Sequence, residues 1–155
     1  MTKYIFLDVD GVLNNKFTNA VAPSGCTGII DKNVKMISEI VKATGAEVIL
    51  SSDWRLMKND DPDFKYLRNK LWYKGGIKLS GITPDIGWEN RGEEIALYLK
   101  FYPADAWVVI DDIEFPDFGI LEGHVVLTDP YEGITEDDVI KAIEVLTNES
   151  QSDKN

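Results

Sequence analysis

Four places in this 155-residue chain set acidic or hydroxyl side chains directly after a short apolar run. Asp8 and Asp10 follow YIFL, Ser51 and Ser52 follow EVIL, Asp111 and Asp112 follow WVVI, and Thr128 and Asp129 follow HVVL. Asp8 and Asp10 stand one residue apart, and in an extended chain the intervening Val9 points away, so both carboxylates face one pocket. Gly11 then permits a tight turn whose amide groups near Val9 and Asp10 can aim at an anion. Carboxylates crowded at one edge repel one another unless a cation offsets them. A hard, oxygen-seeking divalent ion fits such a donor set, and Mg²⁺ is the candidate.

The elements that must position these residues alternate. Residues 3–9 read as a strand, and the absence of strict alternation implies cover on both faces, as in a parallel sheet. Residues 11–28 are polar and read as a long loop, a length often associated with function. Asp31 is expected to cap a helix carrying Val34, Ile37 and Val41 that stops near Gly45. A strand over 46–50 follows, then a helix from Asp60 presenting Phe64, Leu67 and Leu71 and stopping at Gly75 and Gly76. Residues 75–90 are too rich in Gly and Pro for a helix and read as a loop with at most a short strand or hairpin. Asn90 and Glu93 form the pattern of a capping box for a helix from Arg91 to about Tyr102. Strands over 106–112 and 124–129 come next, and Thr135 with Asp138 resembles a second cap before a helix bearing Val139, Ile143 and Leu146. The sum is an α/β domain, a three-layer Rossmann-like fold with a mainly parallel central sheet. The domain spans 1–147, and 148–155 reads as a flexible polar tail. In such sheets ligands bind beyond the carboxyl ends of the strands, where the four polar segments fall.

The segments carry a resemblance. FLDVDGVLN matches the first motif of the haloacid dehalogenase superfamily of phosphohydrolases, VILSS its second, and WVVIDD its fourth. LSSDWR, NRGEEI, WVVIDD and DPYEGIT also resemble the small phosphatase-like domains grouped with Swiss Army Knife RNA repair proteins, over Tyr4 to about Leu146. The resemblance implies a Mg²⁺-dependent phosphomonoesterase in which Asp8 attacks a phosphoryl group and forms an aspartyl-phosphate. An ionised carboxylate needs only placement and charge neutralisation for that step. Asp10 would protonate the leaving oxygen and then deprotonate water. Gly11, Ser51 and Ser52 would contact the phosphate, and Asp8, Asp10 through its carbonyl, and Asp111 or Asp112 would hold the metal. Arg91 is the choice for the cation of the third motif, because a positive charge in a first helical turn opposes the macrodipole and suggests a nearby anion. Arg55 is the alternative or an additional clamp on phosphate, and Lys78 a third possibility. Neither interval between motifs holds a large cap domain, and relatives without one tend to admit bulky substrates. The expected partner is therefore a phosphorylated substrate: a nucleotide, a nucleic-acid end or a small phosphomonoester.

Composition narrows the alternatives. With 16 basic against 27 acidic residues the net charge is −11, which disfavours a broad nucleic-acid-binding surface. No run suits a membrane span or a secretory signal, and the single Cys26, a small buried or loop residue by expectation, excludes an internal disulfide, so a cytoplasmic setting is expected. Asp-x-Asp-Gly alone is an ordinary turn, Asp111-Asp112 a solvated strand end, and Ser51-Ser52 a strand stop. Their order across successive strand exits favours a site. The four tryptophans read as core or rim residues, with Trp88 in the loop before Arg91, and His124 reads as structural. A receiver domain would place adjacent acids after its first strand and a Lys after a late one, which this chain does not do. A degenerate phosphate-binding domain of the same fold is the alternative function.

Overall fold

The computed structural model describes the backbone of residues 1–152 and the side chains through residue 148. Five strands, β1 (Lys3–Leu7), β2 (Glu47–Leu50), β3 (Leu79–Ile82), β4 (Ala106–Asp111) and β5 (Val125–Leu127), form one sheet in the order β3-β2-β1-β4-β5. Every pairing is parallel. Four helices alternate with them: α1 (Asp31–Thr44), α2 (Pro62–Gly75), α3 (Arg91–Phe101) and α4 (Glu136–Ser152). Short 3-10 turns occupy Asp53–Leu56 and Phe118–Leu121.

Alternate residues of each strand enter different cores. Ile5, Leu7, Val48, Leu50, Val108 and Ile110 pack with Val34 and Ile37 of α1, Leu67 and Leu71 of α2, and Ala142 and Leu146 of α4. Tyr4, Phe6, Ile49 and Val109 face the other way, onto Ile95 of α3 and the aromatic pair Phe115 and Phe118. Burial on both faces is why the strands read as continuous apolar runs. The three layers and the parallel sheet match the expected fold class, and among the described residues no cap domain stands over the sheet. No described helix is long and apolar enough to cross a membrane.

Several element boundaries differ from expectation, each for a local reason. β1 stops at Leu7, before the acidic pair. Within the 75–90 loop the short strand allowed by the sequence is a parallel edge strand over 79–82, where a Cβ at Gly81 would press on the Tyr98 hydroxyl. Asp31 does not cap α1; Ile30 occupies the cap position, and Asp31 instead pairs with Lys70 at 2.7 Å and Lys74 at 3.7 Å. In α2 the cap is Asp61, whose carboxylate accepts from Asp63 N, with Pro62 opening the helix. Asn90 makes no capping bond to α3; the distant Asp117 does, accepting from Gly92 N and Glu93 N at 2.9 Å each. Thr135 and Asp138 do close a reciprocal box at the start of α4. That helix runs on to Ser152, because 148–152 contain no Gly or Pro to stop a propagating helix, so the first part of the expected tail is helical. The rest of that tail, 153–155, lies outside the described residues.

Candidate active site

Strand register brings the strand exits together. Leu7 stands opposite both Leu50 and Ile110, so the next residues, Asp8, Ser51 and Asp111, lie side by side at the carboxyl edge. Asp8 N donates to Ile110 O at 3.0 Å, Ser51 N to Leu7 O at 2.8 Å, and Thr128 N to Asp111 O at 2.9 Å. The chain leaves β1 for β2 and β3 on one side and returns to β4 and β5 on the other, which makes the β1/β4 junction the switch point where ligands bind in open sheets.

Carboxylate oxygens of Asp8, Asp111 and Asp112 lie within 4.8 Å of one another. Asp8 and Asp111 are buried and Asp112 is half-buried. Burial, followed by the nearby Asp111 and Asp112 carboxylates, pushes the Asp8 pKa well above the ordinary carboxyl value. Burial also raises Asp111, to about 7, against the Ile113 amide and the Arg91 guanidinium, which favour its charged form. Two buried atoms at this edge, Ser51 Oγ and Asp111 Oδ2, make no hydrogen bond within the protein. Hydroxyl and carboxylate oxygens left this way in a buried site ask for a ligand. Three converging carboxylates, one of them with an orphaned buried oxygen, fit a hard divalent cation.

The turn after β1 is fixed by its own hydrogen bonds. Leu13 N donates to Val9 O at 2.8 Å, and the Asn14 carboxamide accepts from Gly11 N at 2.8 Å while donating to Gly28 O at 3.0 Å. Thr128 Oγ1 donates to Gly11 O at 2.7 Å, tying the fourth exit to the first. Gly11 adopts φ 81°, and a Cβ there would fall onto the Asp112 carboxylate, so only glycine lets the turn and the acid coexist. Asp10 is exposed and stands apart from the three-carboxylate cluster; its Oδ1 accepts from Asn14 Nδ2 at 3.0 Å and its Oδ2 from Trp54 Nε1 at 3.1 Å.

The two arginines and the lysine separate in space. Arg91, in the first turn of α3, donates to Ser51 O at 2.6 Å and to Asp53 at 3.1 Å, approaches Asp111 Oδ2 at 3.6 Å, and lies 4.9 Å over the Phe115 ring. Among the described residues it is the cation that forms an ion pair with these acids. Arg55 is turned the other way, into the protein, where its nitrogens donate to Thr83 O, Ser52 O and the Glu94 carboxylate. These protein oxygens engage the guanidinium that the sequence offered as an alternative or additional phosphate contact. Lys78 precedes β3, at the amino edge of the parallel sheet, opposite the site. Ser52 is likewise committed, its Oγ accepting from Trp54 N at 3.3 Å as the cap of the 3-10 turn. His124 sits at the amino end of β5, stacked on Trp107 with ring centroids 3.6 Å apart.

Trp54, Asn14 and Glu94 reach the site region without having been singled out as site residues, and Thr128, noted as a strand exit, is tied to Gly11. Their contacts join segments from 14 to 117 residues apart, and a single sequence contains no signal for such pairings. A cavity of about 230 Å³ opens beside Asp10, lined also by Gly11, Lys16, Asp112 and Pro130. On the Arg91 side a second, about 280 Å³, is bounded by Trp88 and Phe115. A larger cavity of about 720 Å³ lies against α3 and β3 and contains none of the clustered acids.

A parallel α/β sheet without a cap, with clustered acids and a buried serine at the switch point, defines a haloacid-dehalogenase-like domain, the fold of that superfamily's phosphatases. Residues 4–139 match the family described as the HAD domain in Swiss Army Knife RNA repair proteins, and the chain belongs to that family. No curated protein matches it at significant similarity.

Proposed function

We propose that this domain is a Mg²⁺-dependent phosphomonoesterase that works through Asp8. The observation that carries the reading is the register-enforced meeting of Asp8, Ser51 and Asp111 with two buried oxygens that make no hydrogen bond within the protein. Asp8, the Asp10 carbonyl and the Asp111–Asp112 pair would hold the ion. When bound, it would offset the charge of the carboxylates and the phosphoryl group and favour the ionised form of Asp8.

An Asp8 carboxylate oxygen bonds to phosphorus as the bond from phosphorus to the ester oxygen breaks. The departing oxygen takes a proton from Asp10. Asp10 then takes a proton from water as the water oxygen attacks phosphorus, which releases phosphate and restores Asp8. Ser51 Oγ donates to a phosphoryl oxygen, and Arg91 balances negative charge from the Asp111 side. The open site and the family description support a nucleotide, a nucleic-acid end or a small phosphomonoester as substrate. The exposed, unpaired Cys26 suits a reducing, cytoplasmic setting.

Phosphate release is the test, measured on an aryl phosphate and on nucleotides and oligonucleotides with terminal phosphates, with Mg²⁺ or with chelator. Wild type should release phosphate only with the ion, and Asp8→Asn should lose at least a hundredfold in rate. Equal rates for the two proteins, or no release on any substrate, would leave the degenerate phosphate-binding alternative in its place.

A further inference from the structure

We propose that Trp54 is a positioning residue for Asp10, holding the proton-transferring carboxyl in a single orientation; this rests on the Asp10 role given above. Trp54 is 4% exposed and is anchored by its 3-10 turn, by the Ser52 cap and by the apolar core beneath the sheet. Its indole Nε1 has one hydrogen to donate, and that hydrogen goes to Asp10 Oδ2 at 3.1 Å, across 44 residues of sequence. The opposite oxygen is taken by Asn14 Nδ2, itself buried and locked to Gly11 and Gly28.

An exposed carboxylate ordinarily satisfies itself with water and rotates among several rotamers. Here two rigid, buried donors grip the two oxygens from opposite sides, and each oxygen keeps a lone pair for another partner. Asn14 belongs to the same turn as Asp10 and moves with it. Trp54 comes from the 3-10 turn after the second strand exit, three residues past Ser51, and therefore references Asp10 to that strand edge rather than to its own loop. Losing the indole donor leaves Oδ2 without its protein partner and the Asn14 bond as the remaining restraint on the carboxyl, which widens its range of orientations. Small misplacements of a proton donor reduce rate steeply.

Proton donation matters most where the leaving oxygen is strongly basic, so the cost of misplacing Asp10 depends on the leaving group. Wild type, Asp10→Asn and Trp54→Phe are to be compared on a nitrophenyl phosphate and on an alkyl phosphate, with Mg²⁺. Asp10→Asn should lose far more on the alkyl ester, and Trp54→Phe should show the same bias, its loss at least tenfold greater on the alkyl than on the aryl ester. A uniform loss, or none, in Trp54→Phe beside a biased Asp10→Asn overturns the proposal. An unbiased Asp10→Asn overturns the Asp10 role itself. A spectroscopic arm needs no Trp54 variant: of the four indole N–H signals of the ¹⁵N-labelled protein, one should move upfield in Asp10→Ala. Four unmoved signals would also overturn the proposal.

Discussion

Gly11 shows how narrowly the site constrains a single residue. The positive φ favours glycine, and the space a methyl would need is filled by the Asp112 carboxylate. Gly11→Ala should lower unfolding free energy by about 1–3 kcal/mol in urea, from backbone strain alone. The methyl should also displace Asp112, so the rise in Tm expected of wild type with Mg²⁺ should shrink in the variant; an unchanged rise would separate Gly11 from the acidic cluster. Asp-x-Asp-Gly was legible in the sequence as turn and acids together. The partner that makes glycine obligatory was not, because Asp112 arrives from β4, about a hundred residues later.

At the scale of elements, a buried ion pair helps to connect the second strand exit to α3, beside the bonds Arg91 makes to Ser51 and Asp53. Arg55 Nη2 and Glu94 Oε2 are 2.7 Å apart, with side chains 3% and 1% exposed. Glu94 also accepts from Ile86 N at 2.8 Å and lies 3.4 Å from Arg91 Nε. It thus holds the 84–90 loop and Arg91 in one cluster. Removing one member leaves a buried charge without its partner, so Glu94→Ala should cost about 3–5 kcal/mol by chemical denaturation. A cost below about 1 kcal/mol, the range of exposed pairs, would show that the cluster is solvated. Arg55 was singled out from sequence as a cation just past a strand exit, which was correct about its place and silent about its direction. Direction depends on where Glu94 lies, and that is set by packing of α3 on the sheet.

Across the whole molecule, the buried acids couple stability to pH. Asp8 and Asp111 have pKa values raised above the ordinary carboxyl value, Asp111 to about 7. Well below pH 4 both are protonated whether the chain is folded or not, and they cost nothing. As pH rises through 4 to 7 the unfolded chain releases protons that the folded chain retains, so the chelated protein should lose stability over that window. Asp31 and Asp63 have lowered values, through hydrogen bonds from Lys70 and Ser24 respectively, and their contribution is lost only below the same window. A divalent cation at this cluster would bind the ionised acids, so the Tm gain expected from Mg²⁺ should be larger at about pH 8 than at about pH 5. Equal gains at both values would place the ion away from Asp8 and Asp111.

The sequence by itself determined the alternation of strands and helices, the three-layer fold and the acids and hydroxyls at the strand exits. These are local properties: apolar runs of strand length, helical spacing, and turn residues at fixed offsets. Only the tertiary structure decided that Arg91 faces the acids while Arg55 turns to Glu94, that Ser51 is left open while Ser52 caps a turn, and that Trp54 reaches Asp10. Neighbouring residues of one segment point to opposite sides, and which side becomes the site is settled by strand register and by partners contributed from distant elements.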